Sequence, residues 1–191
     1  MSNSKDEVED LIDQLKQKGI FILCALPFEA DNTNNIFYSG LGKINAAIKS
    51  MEIIKSYKPR LIINYGSCGA INTKLKGLIK INKFIQHDID CTPLGFKRGI
   101  TPYDDIQDII STNSEGFSCA SGDYFVSDKN SITSDVVDME AYAIAKSCEI
   151  YDIQFECLKY ISDNADNDAA NNWKENCSKG FQLFISYLKS K

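Results

Sequence analysis

Apolar residues recur along this chain in two rhythms, and the switches between them outline its elements. Val8, Leu11, Ile12 and Leu15 follow helical spacing behind Ser4, a residue type suited to capping, so the chain is expected to open with an amphipathic helix. Phe21–Ala25 is an unbroken apolar run closed by Pro27, the pattern of a buried strand. A polar turn over Asp31–Asn35 and a short strand over Ile36–Ser39 follow. Gly40-Leu41-Gly42 leads into a helix from about Ile44 to Tyr57, with Ala47, Ile48, Met51 and Ile54 on one face. Beyond the break at Pro59, Leu61–Tyr65 reads as a strand and Gly66-Ser67-Cys68-Gly69 as a glycine-bounded turn directly after it.

The middle of the chain is less regular. Leu78–Gln86 is strand-like, whereas His87–Tyr103 holds two prolines and two glycines and is expected to be a long functional loop. Phe117–Ser121 is a short strand, and Val136-Val137 runs into a helix striped by Ala141, Ile144, Ala145 and Cys148. Phe155–Ile161 is another buried strand, and a last helix is expected from about Ala169 to Lys189. Strands alternating with helices predict an α/β fold: one domain over 19–191 with a mixed, largely parallel central sheet flanked by helices, preceded by a helical extension over 1–18. In such sheets ligands bind beyond the carboxyl ends of strands. Glu29, Gly66-Ser67, the Asp138–Glu140 cluster and Asp163 all fall there.

Composition narrows the classes of function. The 191 residues carry 21 basic and 26 acidic side chains, a net charge of −5, which disfavours nucleic acid and anionic membrane as partners. The longest apolar runs, Gly19–Pro27 and Leu61–Tyr65, fall far short of the ~20 residues of a membrane span. The polar N-terminus matches neither a signal nor a transit peptide, so a soluble, cytoplasmic protein is expected. Seven scattered cysteines without a CxxC, and a single histidine, point to free buried thiols and to no metal site.

Each candidate motif has a plain reading beside a chemical one. Neither glycine turn has phosphate-loop or dinucleotide spacing, and glycine corners are often purely structural. The carboxylates of Val137-Asp138-Met139-Glu140-Ala141 suit a helix start through the dipole. They equally suit a sugar, whose hydroxyls want acceptors while Met139 packs on its ring. Asp163, in Ile161-Ser162-Asp163-Asn164, is either a turn aspartate or a carboxyl raised by desolvation and able to act as an acid.

Taken in order, these blocks are specific. The run Ser39-Gly40-Leu41-Gly42-Lys43-Ile44-Asn45-Ala46-Ala47, the Asn64-Tyr65-Gly66-Ser67 block, Asp138-Met139-Glu140-Ala141 and Ile161-Ser162-Asp163 together resemble the nucleoside phosphorylase/nucleosidase superfamily. The likeness runs from about Phe21 to Trp173 and is nearest to the 5′-methylthioadenosine/S-adenosylhomocysteine nucleosidases. The resemblance implies a three-layer fold and hydrolysis of the N-glycosidic bond of an adenine nucleoside without metal or organic cofactor. It implies Asp163 as the acid that protonates the purine, Glu29 as the base that activates water, and Glu140 with Met139 as the ribose holders. It implies Ser67 in the sugar and water pocket, Phe125 stacked on the base, and Val126 reading the purine edge through its backbone. Leu41 and Leu94 would line the 5′ end and Trp173 would cover it. The Leu94–Pro102 loop would reach in from a neighbouring subunit of a homodimer, placing Pro102 in the partner's site.

Only two arginines, Arg60 and Arg98, are available to cradle a phosphate, and Glu29 would repel one, so hydrolysis is favoured over phosphorolysis. A purine nucleoside phosphorylase and a non-catalytic adenine-nucleoside sensor are the alternatives, separated by a need for phosphate and by binding without turnover. Three departures from the family pattern carry expectations of their own. The connection after Glu29 is short, which would hold that carboxylate loosely. Asp138 stands in place of a glutamate, and Tyr160 in place of an arginine beside the acidic cluster.

Overall fold

The computed structural model describes residues 4–128 and 132–191, so the first three residues of the extension lie outside it. α1 (Lys5–Gln17) starts at Ser4, whose hydroxyl accepts from the Glu7 N–H while the Glu7 carboxylate accepts from the Ser4 N–H. This reciprocal box satisfies donors that a helix start leaves unpaired. β1 (Ile20–Cys24) is buried throughout, and a 3-10 turn over Pro27–Ala30 carries Glu29 away from its end. β2 (Phe37–Tyr38) is shorter than the strand expected at Ile36–Ser39. The chain continues through α2 (Lys43–Tyr57), β3 (Leu61–Ala70), β4 (Leu78–Gln86), β5 (Ile109–Ser111), β6 (Phe117–Ser121), β7 (Val136–Asp138), α3 (Ala141–Ile150), β8 (Gln154–Asp163), α4 (Ala169–Asn176) and α5 (Phe181–Leu188).

Among the described residues the strands form one eight-stranded mixed sheet. β1 runs parallel to β2 and β3, β3 to β8, and β6 to both β4 and β7; β3–β7, β4–β8 and β4–β5 are antiparallel. Since β3 connects to β4 through β8 on one side and through β7 and β6 on the other, the sheet curls into a closed circuit. Strand alternation sends Ile20, Ile22, Leu61, Ile63 and Tyr65 toward α1 and α5, and Phe21, Leu23 and Ile62 toward α2 and α3. Both faces are covered, which is why these strands read as unbroken apolar runs. No helix of the described residues is long and apolar enough to cross a membrane. All seven cysteines are free.

Three expectations need correction, and one strand went unread. Gly66–Gly69 is not a turn but the second half of β3, buried along most of its length. The C-terminal helix is two helices, broken over 177–180, where a Cβ on Gly180 would lie 2.4 Å from the Tyr160 ring. The short strand β5 inside the irregular middle has no readable apolar run. On α2 the buried residues are Ala46, Ser50, Ile53 and Ile54, while Ile44 and Ile48 are 72% and 62% exposed. Small side chains at 46 and 50 let α2 approach the core closely, and the Ser50 hydroxyl is satisfied within the helix by the Ala46 carbonyl.

Candidate active site

Glu29 is 3% exposed and firmly held. Its Oε1 accepts from the Ser67 N–H at 2.8 Å and the Ser67 hydroxyl at 2.6 Å, and its Oε2 accepts from the Leu26 N–H at 3.1 Å. The expectation of a loose carboxylate is therefore overturned. β3 lies beside β1, so an edge shortened on the far side of β1 does not reach the contacts that fix Glu29. The abbreviated connection is itself tethered to α1, whose Glu9 Oε1 accepts from the Asn34 side chain at 2.9 Å.

Asp138 stands at the end of β7 and Glu140 at the start of α3. Asp138 is the structural member: its Oδ2 accepts from the Ala141 N–H at 2.9 Å and its Oδ1 accepts from the Ser121 hydroxyl, which in turn accepts from the Tyr142 N–H. Lys159 Nζ lies 2.7 Å from Asp138 Oδ2, with both side chains buried. Burial pushes the Asp138 carboxyl up, but the Lys159 charge and hydrogen bonds from Lys159, Ser121 and Ala141 outweigh it and hold the group below its usual range. The basic neighbour expected to be lost at Tyr160 is thus present one residue earlier. On β8 adjacent side chains face opposite ways, so Lys159 points into the site and Tyr160 packs against Gly180.

Glu140 Oε1 accepts from the Gly42 N–H at 2.9 Å, which fixes it against the start of α2. Gly42 has φ of +93°, a conformation that side chains rarely adopt, and this accounts for the second glycine of Gly40-Leu41-Gly42. Burial, and next the Asp138 charge, push the Glu140 carboxyl up to about 8. The folded protein therefore keeps a proton there that the unfolded chain, with an ordinary value of 4.5, releases. Ionising Glu140 costs stability, and the cost grows as pH rises from about 4.5 toward 8. Glu140→Gln is expected to remove on the order of a few kcal/mol of that pH-dependent loss. Urea unfolding of both proteins at pH 5 and pH 8 measures it, and parallel pH dependences would contradict it.

Asp163 closes β8. Its Oδ1 accepts from the Ala165 N–H at 2.9 Å and its Oδ2 from the Ser162 hydroxyl at 2.8 Å. Burial raises the carboxyl above its ordinary range despite those hydrogen bonds, which work in the opposite direction. A Cβ at Gly69 would lie 2.8 Å from Asp163 Oδ1, so only glycine gives this carboxyl its place beside β3.

These groups share one cavity of about 240 Å³. Glu29, Leu41, Ser67, Phe125, Val126, Met139, Glu140, Asp163 and Trp173 all line it, as do Lys159 and Lys174. Leu94 and Pro102 do not: both lie on the 87–103 loop, where Leu94 is 71% exposed. Phe28 and Phe125 flank Trp173 edge-on at the mouth, with ring centroids 5.8 and 6.3 Å away. Lys159 escaped the sequence reading, although its signal was legible: a lysine within an apolar strand needs a buried carboxylate partner. Among the described residues, no three His, Cys, Asp or Glu side chains come together as a metal-holding group.

Comparison with known proteins matches residues 16–115 to the family model described as Phosphorylase superfamily. The 5′-methylthioadenosine/S-adenosylhomocysteine nucleosidase of Buchnera aphidicola subsp. Acyrthosiphon pisum (strain APS) is 34% identical over 178 residues, covering 80% of this chain and 75% of the relative. The chain belongs to the phosphorylase superfamily. A second superfamily relative, the nucleosidase of the same name from Staphylococcus haemolyticus, is 28% identical across 97% of this chain and 94% of its own length. Among solved structures, futalosine hydrolase of Helicobacter pylori superposes with a TM-score of 0.81 at 21% identity, over 90% of this chain and 95% of that one. The H. pylori 5′-methylthioadenosine/S-adenosylhomocysteine nucleosidase, complexed with a pyrrolidine-based compound, gives 0.79 at 22%, over 90% and 96%. At these identities the structural likeness establishes the superfamily fold, and the mixed α/β domain flanked by helices is that fold.

Proposed function

We propose that this superfamily member hydrolyses the N-glycosidic bond of an adenine nucleoside of the 5′-methylthioadenosine, S-adenosylhomocysteine or 5′-deoxyadenosine type. The observation that carries the reading is the single cavity that Asp163, Glu29 and Glu140 line together with Phe125 and Met139. Asp163, raised by burial, gives its proton to the purine ring nitrogen, so that adenine leaves with the electrons of the C1′–N bond. Water attacks the oxocarbenium-like C1′, and Glu29 takes the water's proton. The products are adenine and the 5-substituted ribose, and Asp163 and Glu29 exchange protons with solvent to reset. Glu140 holds the ribose hydroxyls and Met139 packs on the ring. Phe125 stacks on the base, the Val126 backbone reads its edge, and Ser67 orders the water side.

Hydrolysis is favoured over phosphorolysis because no arginine among the described residues lines the cavity. Arg60 stands before β3, at the other end of the sheet, and Arg98 pairs with Asp90 on an exposed loop. The Lys159 charge is already committed to Asp138. The nucleosidase names of the relatives agree with this choice. Chromatography of adenine released from 5′-methylthioadenosine by the purified protein tests the reading, and absence of adenine from all three substrate types would end it.

The proposal extends to a homodimer. Leu41, Ile44, Ile48 and Leu94 are 48%, 72%, 62% and 71% exposed, large apolar side chains left to solvent among the described residues. A second copy covering them would bring its Leu94 and Pro102 toward the 5′ end of the cavity, where Leu41 and Trp173 already lie. Sedimentation is expected to show a dimer, and Ile48→Glu to weaken it; a wild-type monomer at assay concentrations would remove this part. Free thiols throughout suit a reducing cytoplasm.

A further inference from the structure

Trp173 is the only tryptophan of the chain, and its ring stands at the mouth between Phe28 and Phe125. Its contact with the interior is polar. The indole N–H donates to Ser67 Oγ at 2.9 Å, and Ser67 Oγ donates to Glu29 Oε1 at 2.6 Å. A serine hydroxyl has one proton and two lone pairs, and an indole N–H donates without accepting. With that N–H directed at Ser67 Oγ, the serine proton cannot turn toward Trp173 and is left to point at Glu29. A phenylalanine at 173 would fill the mouth almost as well but would leave the Ser67 hydroxyl free to rotate. The relay spans α4, β3 and the 3-10 turn after β1, so the element covering the cavity is joined to the carboxylate within it.

We propose that Trp173 is a positioning residue for Glu29, acting through Ser67: its indole N–H orients the Ser67 hydroxyl, which holds the Glu29 carboxylate in the geometry that activates water. This inference rests on the reading of Glu29 as the base. It gives the aromatic cover a second task beyond excluding solvent, and it requires tryptophan rather than any aromatic residue at 173. Because the relay's hydrogen bonds end on the Glu29 carboxylate, and phenylalanine at 173 would keep an aromatic cover over the cavity, loss of the relay should appear in turnover far more than in substrate affinity.

Trp173→Phe, Ser67→Ala and the double variant, assayed with 5′-methylthioadenosine, test it. Trp173→Phe is expected to lower kcat about threefold to tenfold, the range of one hydrogen bond, while KM changes less than about twofold. In the Ser67→Ala background the same substitution should change kcat less than about twofold, because the intermediary is already gone. An equal fall in both backgrounds, or a rise in KM with kcat unchanged, would overturn the proposal. Fluorescence supplies a readout independent of turnover: the lone indole should emit at shorter wavelength in Ser67→Ala, having lost its acceptor. An active wild-type protein whose emission is unmoved by Ser67→Ala would overturn the relay alone. A wild-type protein that releases no adenine, with the emission shift present, would overturn the hydrolase reading and the positioning role that rests on it.

Discussion

Asp163→Asn is expected to lower turnover about a hundredfold to ten-thousandfold while leaving the fold intact. The size is that of a general acid removed from the transition state. Adenine is a poor leaving group unless protonated, and Asp163 is a carboxyl in the cavity that burial has raised and that no cation among the described residues pairs. Asparagine fits the same space: its carbonyl can accept from the Ala165 N–H, and the Ser162 hydroxyl can turn to accept from its amide. The variant therefore keeps the shape and loses the transferable proton. Single-turnover measurement of adenine release, alongside a thermal melt, separates chemistry from folding. Near wild-type turnover in a well-folded variant would withdraw the acid role from Asp163.

Glu29→Gln is the second large effect, and its signature differs. Nucleoside binding should stay within a few-fold of wild type, since the proposed mechanism has base and ribose held by Phe125, Val126, Met139 and Glu140, which line the same cavity. Hydrolysis should fall on the order of a hundredfold or more, because an amide cannot take the proton of the attacking water. The substitution also has a local cost. One end of the new amide side chain would be an NH₂ facing a donor, either the Leu26 N–H or the Ser67 pair. Losing one such hydrogen bond costs about 1–3 kcal/mol of stability. Equilibrium binding measured beside turnover distinguishes the two consequences, and unchanged hydrolysis would remove Glu29 from the mechanism.

Strand and helix order was legible because both sheet faces are covered, which makes β1 and the first half of β3 unmistakable apolar runs. Most of the misreadings share one cause: glycine and lysine whose reasons lie across the sheet. Gly66 and Gly69 have the look of a turn, yet they sit in β3 to admit side chains from other elements. A Cβ at Gly66 would meet Lys159 Nζ at 3.3 Å and Glu29 Oε1 at 3.6 Å, and one at Gly69 would meet Asp163. Gly180 likewise yields to Tyr160 where the last helix breaks. The α2 stripe misleads because apolar residues occupy two adjacent faces, and only tertiary packing selects the one bearing the small Ala46 and Ser50.

The candidate site was legible where motif and position coincide. Glu29, Ser67, Phe125, Val126, Met139, Glu140, Asp163, Leu41 and Trp173 share one cavity although they span nearly the whole chain. Lys159 was hidden within a strand read only for its hydrophobicity. Leu94 and Pro102 do not line the chain's own cavity.

The most direct test of hydrolysis is to incubate the purified protein with 5′-methylthioadenosine in ¹⁸O-labelled water, with and without phosphate, and identify both products. The account predicts equal adenine release in the two conditions and one labelled oxygen on the anomeric carbon of the free sugar. Adenine formed only with phosphate, together with a sugar 1-phosphate free of label, would contradict it.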